Sequence, residues 1–493
     1  MIIATKKFEE GSLVARERAA GELVFLEEDD NAVIGRMNAE VEGYDPSLYG
    51  GRRLECWLLL DDATSLWLLQ TVGVPDEVRK KADVLATTAA DLMAKTLLVR
   101  LPGRVSPFPP LDRRPIGRDS EVTVHLVLLG AGNLAEAVAL NAALVAHYPN
   151  YCRDTWLRTR ITLVSEDVSQ MRDRLLQRYA HLFAHSYHRM LDLSDTHPVC
   201  HLHRPQYEGQ RKDFVDVEWE FVKGDSRNGA VRQKLSEWAV SERQLLTVAL
   251  CHADDGANLT EAVSLPQAVY DAQTPVFCHA EKADLLRLVQ EGKAYGNVIA
   301  FNQEMADLGL LRVLKRMGQC VNYVYHHCFA LEKGAPITAP AHIDVVRLDA
   351  LWAEVPSLPK QYSNVFNAMT LGTKMHSLGH REEEMEKSEM DEGAGQAYYA
   401  LSMDEVDVMT EVEHNRWSLE ELMLGYRPMT DDEMRMVEED VLQKKRLRDE
   451  KKVHYDLRAF DDLREDETGK NVNVYDMALT QAIPLIVKTC ITD

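Results

Sequence analysis

Between Val122 and Leu140 the chain reads VTVHLVLLGAGNLAEAVAL, and this stretch limits what it can fold into more than any other. Apolar and β-branched residues climb to Leu129, a glycine-rich turn follows at Gly130-Ala131-Gly132, and Leu134, Val138 and Ala142 recur at helical spacing. The pattern predicts a buried parallel strand, a tight turn and a helix entered end-on. The glycines fall as G-x-G-x-x-A, with Ala135 in the third position. That variant of the dinucleotide fingerprint lets backbone amides approach a pyrophosphate, which rests on the positive end of the helix. Gly130, Gly132, Asn133, Leu134 and Ala135 are therefore candidate contacts for NAD or a related nucleotide.

The surrounding chain repeats the alternation of apolar run and helix. Residues 160–164, 214–222, 245–251, 274–278 and 298–301 are further strand-like runs. They predict an α/β domain over 120–304, with a Rossmann-like, doubly wound parallel sheet. Upstream, residues 1–115 contain short runs at 22–26, 55–60, 82–86 and 96–101 with helical segments between them. They look like the later half of a Rossmann-type lobe without a glycine fingerprint, an incomplete α/β lobe that supports or covers its neighbour. The proline-rich VSPFPPLDRRPIG is a natural linker between the two. Residues 305–392 read as a helical bridge ending in the charged run REEEMEKSEMDE, and 400–493 as a mainly helical C-terminal module.

A dinucleotide site normally places an acid on the ribose about 20 residues past the glycines. Here Glu166 and Asp167 lie farther on, because HYPNYCRDTWLR lengthens the connection; a plain helix N-terminal acid is the alternative reading. Asp254, Asp255 and Asn258 follow a later apolar run, on the edge where open α/β sheets bind ligands, and helix capping is the alternative for Asn258. His197, Cys200, His201 and His203 lack a second ligand pair at finger-like distance, so an irregular loop rather than a metal site is expected. His326, His327 and Cys328 fall along a helix, where adjacent residues do not face one ligand. No catalytic residue is assigned. The central domain has no Tyr-x-x-x-Lys and no evident His–Asp pairing, so the reading leans away from an enzyme, with an NAD(P)-dependent oxidoreductase as the alternative.

Composition excludes other classes. A formal charge of −23 argues against direct nucleic-acid binding or attachment to anionic lipid. The eight cysteines form no CxxC pairs, as expected of reduced thiols in a cytoplasm. The first residues hold no apolar stretch of a secretory signal, and polar residues interrupt the longest apolar run, so no transmembrane segment is expected.

The segment EVEHNRWSLEELMLGYRP carries His414, Trp417, Gly425, Tyr426 and Arg427. It resembles the opening of the RyR domain, the repeat named after ryanodine receptors. The later KKVHYDLRAFDDLREDE resembles that family's second segment through His454, Leu457 and Leu463, and YDMALTQAIPLIV its final helix. Tyr426 stands where tryptophan is usual, Tyr455 where proline is usual, and residues 429–452 form a longer charged excursion. The central domain is similar to the TrkA-N (RCK) type of NAD-binding domain that gates potassium transport. This pairing of domains implies a nucleotide-binding sensor, with the RyR-like candidates His414, Trp417, Tyr426, Arg427 and His454 as ligand residues. It also implies assembly as a dimer or larger ring, a membrane ion channel or transporter as partner, and a role in ion-transport control or nucleotide-based defence. The residues themselves allow a plainer reading: Trp417 and His414 as core, Gly425 as a helix C-cap, and KKRLRDEKK as a solvated helix.

Overall fold

The computed structural model describes residues 22–26, 29–101, 105–193, 199–205, 212–281, 295–306, 308–331, 336–380, 401–464 and 473–492. The charged run at 381–392 lies outside them. Three parallel strands, β1 (Glu22–Leu26), β2 (Leu54–Leu60) and β3 (Ala82–Thr88), form a sheet in that order. Helices α1 (Asp30–Glu42), α2 (Ala63–Thr71) and α3 (Ala89–Leu98) follow them in turn. The apolar run at 96–101 is thus the end of α3 and the chain beyond it, not a strand. Its leucines Leu97 and Leu98 are buried by helix packing rather than by a sheet.

The second sheet has eight strands: β4 (Thr123–Leu129), β5 (Thr159–Ser165), β6 (His188–Asp192), β7 (Val199–His203), β8 (Val217–Lys223), β9 (Gln244–Leu250), β10 (Val276–His279) and β11 (Val298–Phe301). Their spatial order is β11-β10-β9-β4-β5-β8-β6-β7, parallel except for the β6–β7 hairpin. β4 is central, and every residue from Val124 to Leu129 is at most 2% exposed. Its side chains alternate between two layers. Leu126 and Leu128 face one apolar core, Val127 and Leu129 another. His125, buried in this strand, is held by Thr162 (Nε2 to Oγ1, 2.8 Å) and Gln244 (Nδ1 to Oε1, 3.1 Å). Burial pushes its pKa down to about 3, so the ring is neutral.

Two sequence expectations need correction here. Val199 to His203, read as part of an irregular loop, is the edge strand β7; His197 lies outside the described residues. The strand expected from Phe214 begins at Val217. α4 (Asn133–Val145) and α5 (Val168–Arg178) cover one face of the sheet, and α6 (Asp255–Ala262) lies on the other. α4 also packs along α3, joining the small sheet to the large one.

The remainder is helical: α7 (Leu308–Ala330), α8 (Leu358–Met369), α9 (Leu371–Ser377), α10 (Met403–Met423) and α11 (Asn473–Thr492) are its main members. α7 packs on α8 and α11, and α10 on α11, α8 and α4. A two-stranded parallel ladder joins β12 (Arg427–Pro428) to β13 (Val453–His454). One apolar core runs without a break from Trp57 in β2, through the large sheet and α7, to Val487 in α11. Among the described residues, no helix is long and apolar enough to cross a membrane.

Candidate functional site

The two glycines of the turn after β4 are needed for different reasons. Gly130 has φ 122°, and a Cβ there would lie 2.8 Å from the Cys251 carbonyl carbon and oxygen and 3.0 Å from the His252 nitrogen. Only glycine lets the end of β9 cross the turn this closely. Gly132 has an extended backbone, caps α4 without a side-chain hydrogen bond, and would place a Cβ in open space. The first amides of a helix have no intrahelical acceptor, so this end presents N–H donors and a positive partial charge. Ala135, in the first turn of α4, is fully buried, and its small side chain permits close packing of the helix on its neighbours.

Gly132 opens onto a cavity of about 420 Å³. Gly132, Asn133, Leu134 and Ala137 form one wall from the start of α4. The small sheet supplies the opposite wall through Leu60, Asp61 and Thr88 at the C-terminal ends of β2 and β3, with Trp67 of α2 and Asp91 of α3. His252 and His279 border it from the ends of β9 and β10, and Phe366, Met423 and Leu424 from the helical half. The volume falls in the range of small-molecule and cofactor sites.

Most polar groups on these walls are already engaged. Asp91 pairs with Lys95 and accepts from Thr87 Oγ1 at 2.8 Å and Asn141 Nδ2 at 2.9 Å. Glu136 pairs with Arg178 of α5, whose other nitrogen donates to Thr64 Oγ1 of α2 at 3.0 Å. His252 Nε2 donates to Glu261 Oε2 at 2.6 Å, and this bond raises the imidazole pKa above its usual value. His279 Nε2 meets Glu281 at 3.2 Å. Tyr179 is buried at the same cavity, and burial pushes its phenol up. Three buried atoms of wall residues, Trp67 Nε1, Asn141 Oδ1 and His279 Nδ1, have no hydrogen-bond partner among the described residues. Asp61, Asp91 and Glu136 place carboxylates among walls that are otherwise largely apolar, and Asp91 and Glu136 are paired with Lys95 and Arg178.

The structure separates the sequence candidates. Gly132, Asn133 and Leu134 line the cavity; Gly130 and Ala135 shape the turn and the helix packing behind it. Glu166 and Asp167 are exposed in the turn after β5, off the cavity wall. Asp254 caps α6, accepting from the Ala257 amide at 2.7 Å, and Asp255 accepts from the Glu281 amide at 3.0 Å. Asn258 bonds both the N–H and the C=O of His252 at 2.9 Å, so it fixes the loop after β9 from behind. None of these three lines the cavity, because backbone groups at the loop and helix start use their side chains.

The C-terminal candidates come together elsewhere. Trp417 stacks edge-on against His454 (4.9 Å between centroids) and lies 5.7 Å from His414, and Tyr426 lies 6.2 Å from His454. His414 is buried and donates to the Arg458 carbonyl at 2.8 Å, while burial and nearby cations push His454 well down. Arg427 forms a bidentate pair with Glu433 at 2.7 and 2.8 Å. Gly425, at φ 88°, follows the last turn of α10 as a left-handed C-terminal residue. Lys452 ties this module to the small sheet, donating at 2.8 Å to both the Thr71 and Leu424 carbonyls.

Sequence reasoning missed the wall from the small sheet and the His252–Glu261 pair. Asp91 and Asn141 belong to different sheets' helices, and no local pattern joins them. His252 directly after an apolar run was the one available signal. Among the described residues, no three His, Cys, Asp or Glu side chains are grouped to hold a metal ion. No family model, curated protein or solved structure matches the chain.

Proposed function

We propose that the protein is a nucleotide-binding regulatory protein, in which a dinucleotide or related nucleotide seats its phosphate on the Gly130–Gly132 turn and its body in the adjoining cavity. The observation that carries this reading is the composition of the cavity wall. The start of α4, the small sheet, α8 and the end of α10 all border one space, so a ligand there would contact the small sheet, the glycine turn and the helix end that leads into the C-terminal module. A ligand shifts an equilibrium only through such differential contacts.

Strand order gives further support. β5 and β8 lie on one side of β4, and β9, β10 and β11 on the other. That arrangement is like the Rossmann order, in which the reversal of strand order opens a crevice where such sheets bind ligands, and it supports the reading. The sensor reading also draws on the resemblance of the C-terminal module to RyR domains and of the central domain to TrkA-N domains. In this account the aromatic cluster of His414, Trp417, Tyr426 and His454 is the second, sensing element, and an ion channel or transporter is the downstream partner.

Thermal-shift screening of NAD, NADP, ADP-ribose and ATP tests the reading with the wild type and Gly132→Asp. A Cβ at this position meets no atom within 4 Å, and the substitution places a carboxylate beside the turn where the phosphate would rest. A nucleotide at about 100 times its Kd stabilises by about 2.7 kcal/mol. A shift in the wild type that Gly132→Asp abolishes is expected. No shift with any nucleotide, or one retained in the variant, overturns the assignment.

One observation favours the alternative, an NAD(P)-dependent oxidoreductase: His252, oriented by Glu261, stands at the cavity as a general acid or base would. Consumption of cofactor during incubation with a metabolite mixture would establish that reading in place of the first.

A further inference from the structure

His252 is set in place more firmly than a solvent-facing histidine at a loop would be. Its backbone N–H and C=O are both bonded to Asn258, and its nitrogen lies 3.0 Å from where a Cβ on Gly130 would stand. The residue therefore abuts the glycine turn. Its ring lines the cavity, a third exposed, with Nε2 committed to Glu261 Oε2 at 2.6 Å. Nδ1 has no hydrogen-bond partner among the described residues. The other cationic side chain on the wall, Lys95, is held by Asp91.

Tautomer chemistry then decides what the cavity meets. With Nε2–H donating to Glu261, a neutral ring presents the Nδ1 lone pair, which repels a phosphate oxygen. A protonated ring presents an Nδ1–H donor and a positive charge.

We propose that the His252 imidazolium, held by Glu261, is the side chain that contacts the phosphate of a nucleotide seated on the Gly130–Gly132 turn, so that binding takes up a proton at this residue. The proposal rests on the nucleotide reading of the same site. The charged surroundings favour it. Glu261 faces the ring from α6, Asp254 from the start of that helix, and Asp225 from the loop after β8, and all three stabilise the cation. Asp225 is itself paired with Arg227, which tempers its share. His279, at the end of β10, borders the same cavity and is paired with Glu281.

Affinity should therefore be full below the pKa of His252 and fall as pH rises through it, by up to about tenfold per pH unit. Isothermal titration of the full chain with NAD and with ADP-ribose tests this between about pH 6 and 8.5, in two buffers of different ionisation enthalpy. The pyrophosphate of neither probe titrates in that range. Proton uptake and weakening with pH are expected in the wild type, a flat and weaker profile in His252→Gln, and an earlier onset of weakening in Glu261→Gln. Binding that is independent of pH in the wild type, or a wild-type profile in His252→Gln, overturns the His252 assignment and leaves the nucleotide site standing. Failure of both probes to bind at any pH overturns the two together. The wild-type profile decides the matter even if a variant does not fold.

Discussion

Gly130 and Gly132 sit two residues apart, and the fold asks different things of them. At Gly130 a side chain would need a left-handed backbone and would collide with Cys251. Gly130→Ala is expected to cost about 2 kcal/mol or more, read as a lower unfolding midpoint in denaturant. Gly132→Ala, with free space around its Cβ, is expected to leave stability within about 0.5 kcal/mol of wild type. Equal losses at the two positions would contradict the geometry. The motif marked both residues in the sequence, but their difference depends on β9 crossing the turn, a contact between distant segments that no spacing encodes. The same limit applies to Asp254, Asp255 and Asn258. The sequence showed acids and an amide at a strand end; only the folded loop shows that backbone amides and the His252 peptide engage them.

At the scale of elements, α10 departs most from what periodicity suggests. Ser402 and Glu405 begin it with a capping box, as a helix start should. Yet Glu413, Arg416, Glu420 and Glu421 are all at most 1% exposed, so the helix is buried where its sequence looks solvated. Partners from other helices make this tolerable: Lys374 of α9 and Asn367 of α8 meet Glu413, and Lys360 of α8 meets Glu421. Arg416 is shared between Glu413 and Glu420. Removing Lys374 by substitution to Met would strand part of a buried charge, a loss of roughly 3–5 kcal/mol by equilibrium unfolding. A negligible change would mean the network is not closed as described.

The network also carries a pH signature. Although burial opposes it, Arg416 and Lys374 hold Glu413 down to about 2; burial and the neighbouring Glu421 push Glu420 up to about 7. An acid whose folded pKa is raised binds more protons folded than unfolded, so its contribution to stability declines as pH climbs from the unfolded value of 4.5 to about 7. Glu420→Gln lacks this decline. The difference in unfolding midpoint between variant and wild type should move in the variant's favour from about pH 5 to 8. A difference independent of pH would show that Glu420 is ionised throughout.

Over the whole molecule, strands with continuous apolar runs were legible because a doubly covered sheet demands them, as β4, β5, β9 and β10 show. β6 and β7 were not, since an edge hairpin carrying His188, His201 and His203 needs no apolar run. Four successive segments in the sequence share one apolar core in the fold, and the cavity lies where they meet. Lys452 bridges two of its borders by bonding the Thr71 and Leu424 carbonyls. The central claim is that a nucleotide in this cavity engages the small sheet, the glycine turn and the C-terminal module at once. Hydrogen–deuterium exchange of the full chain with and without NAD tests it most directly. The account predicts slowed exchange together at residues 130–137, 60–71, 88–95 and 423–426. Slowing confined to the turn, or centred on residues 165–168 with the small sheet and the end of α10 unchanged, would contradict it.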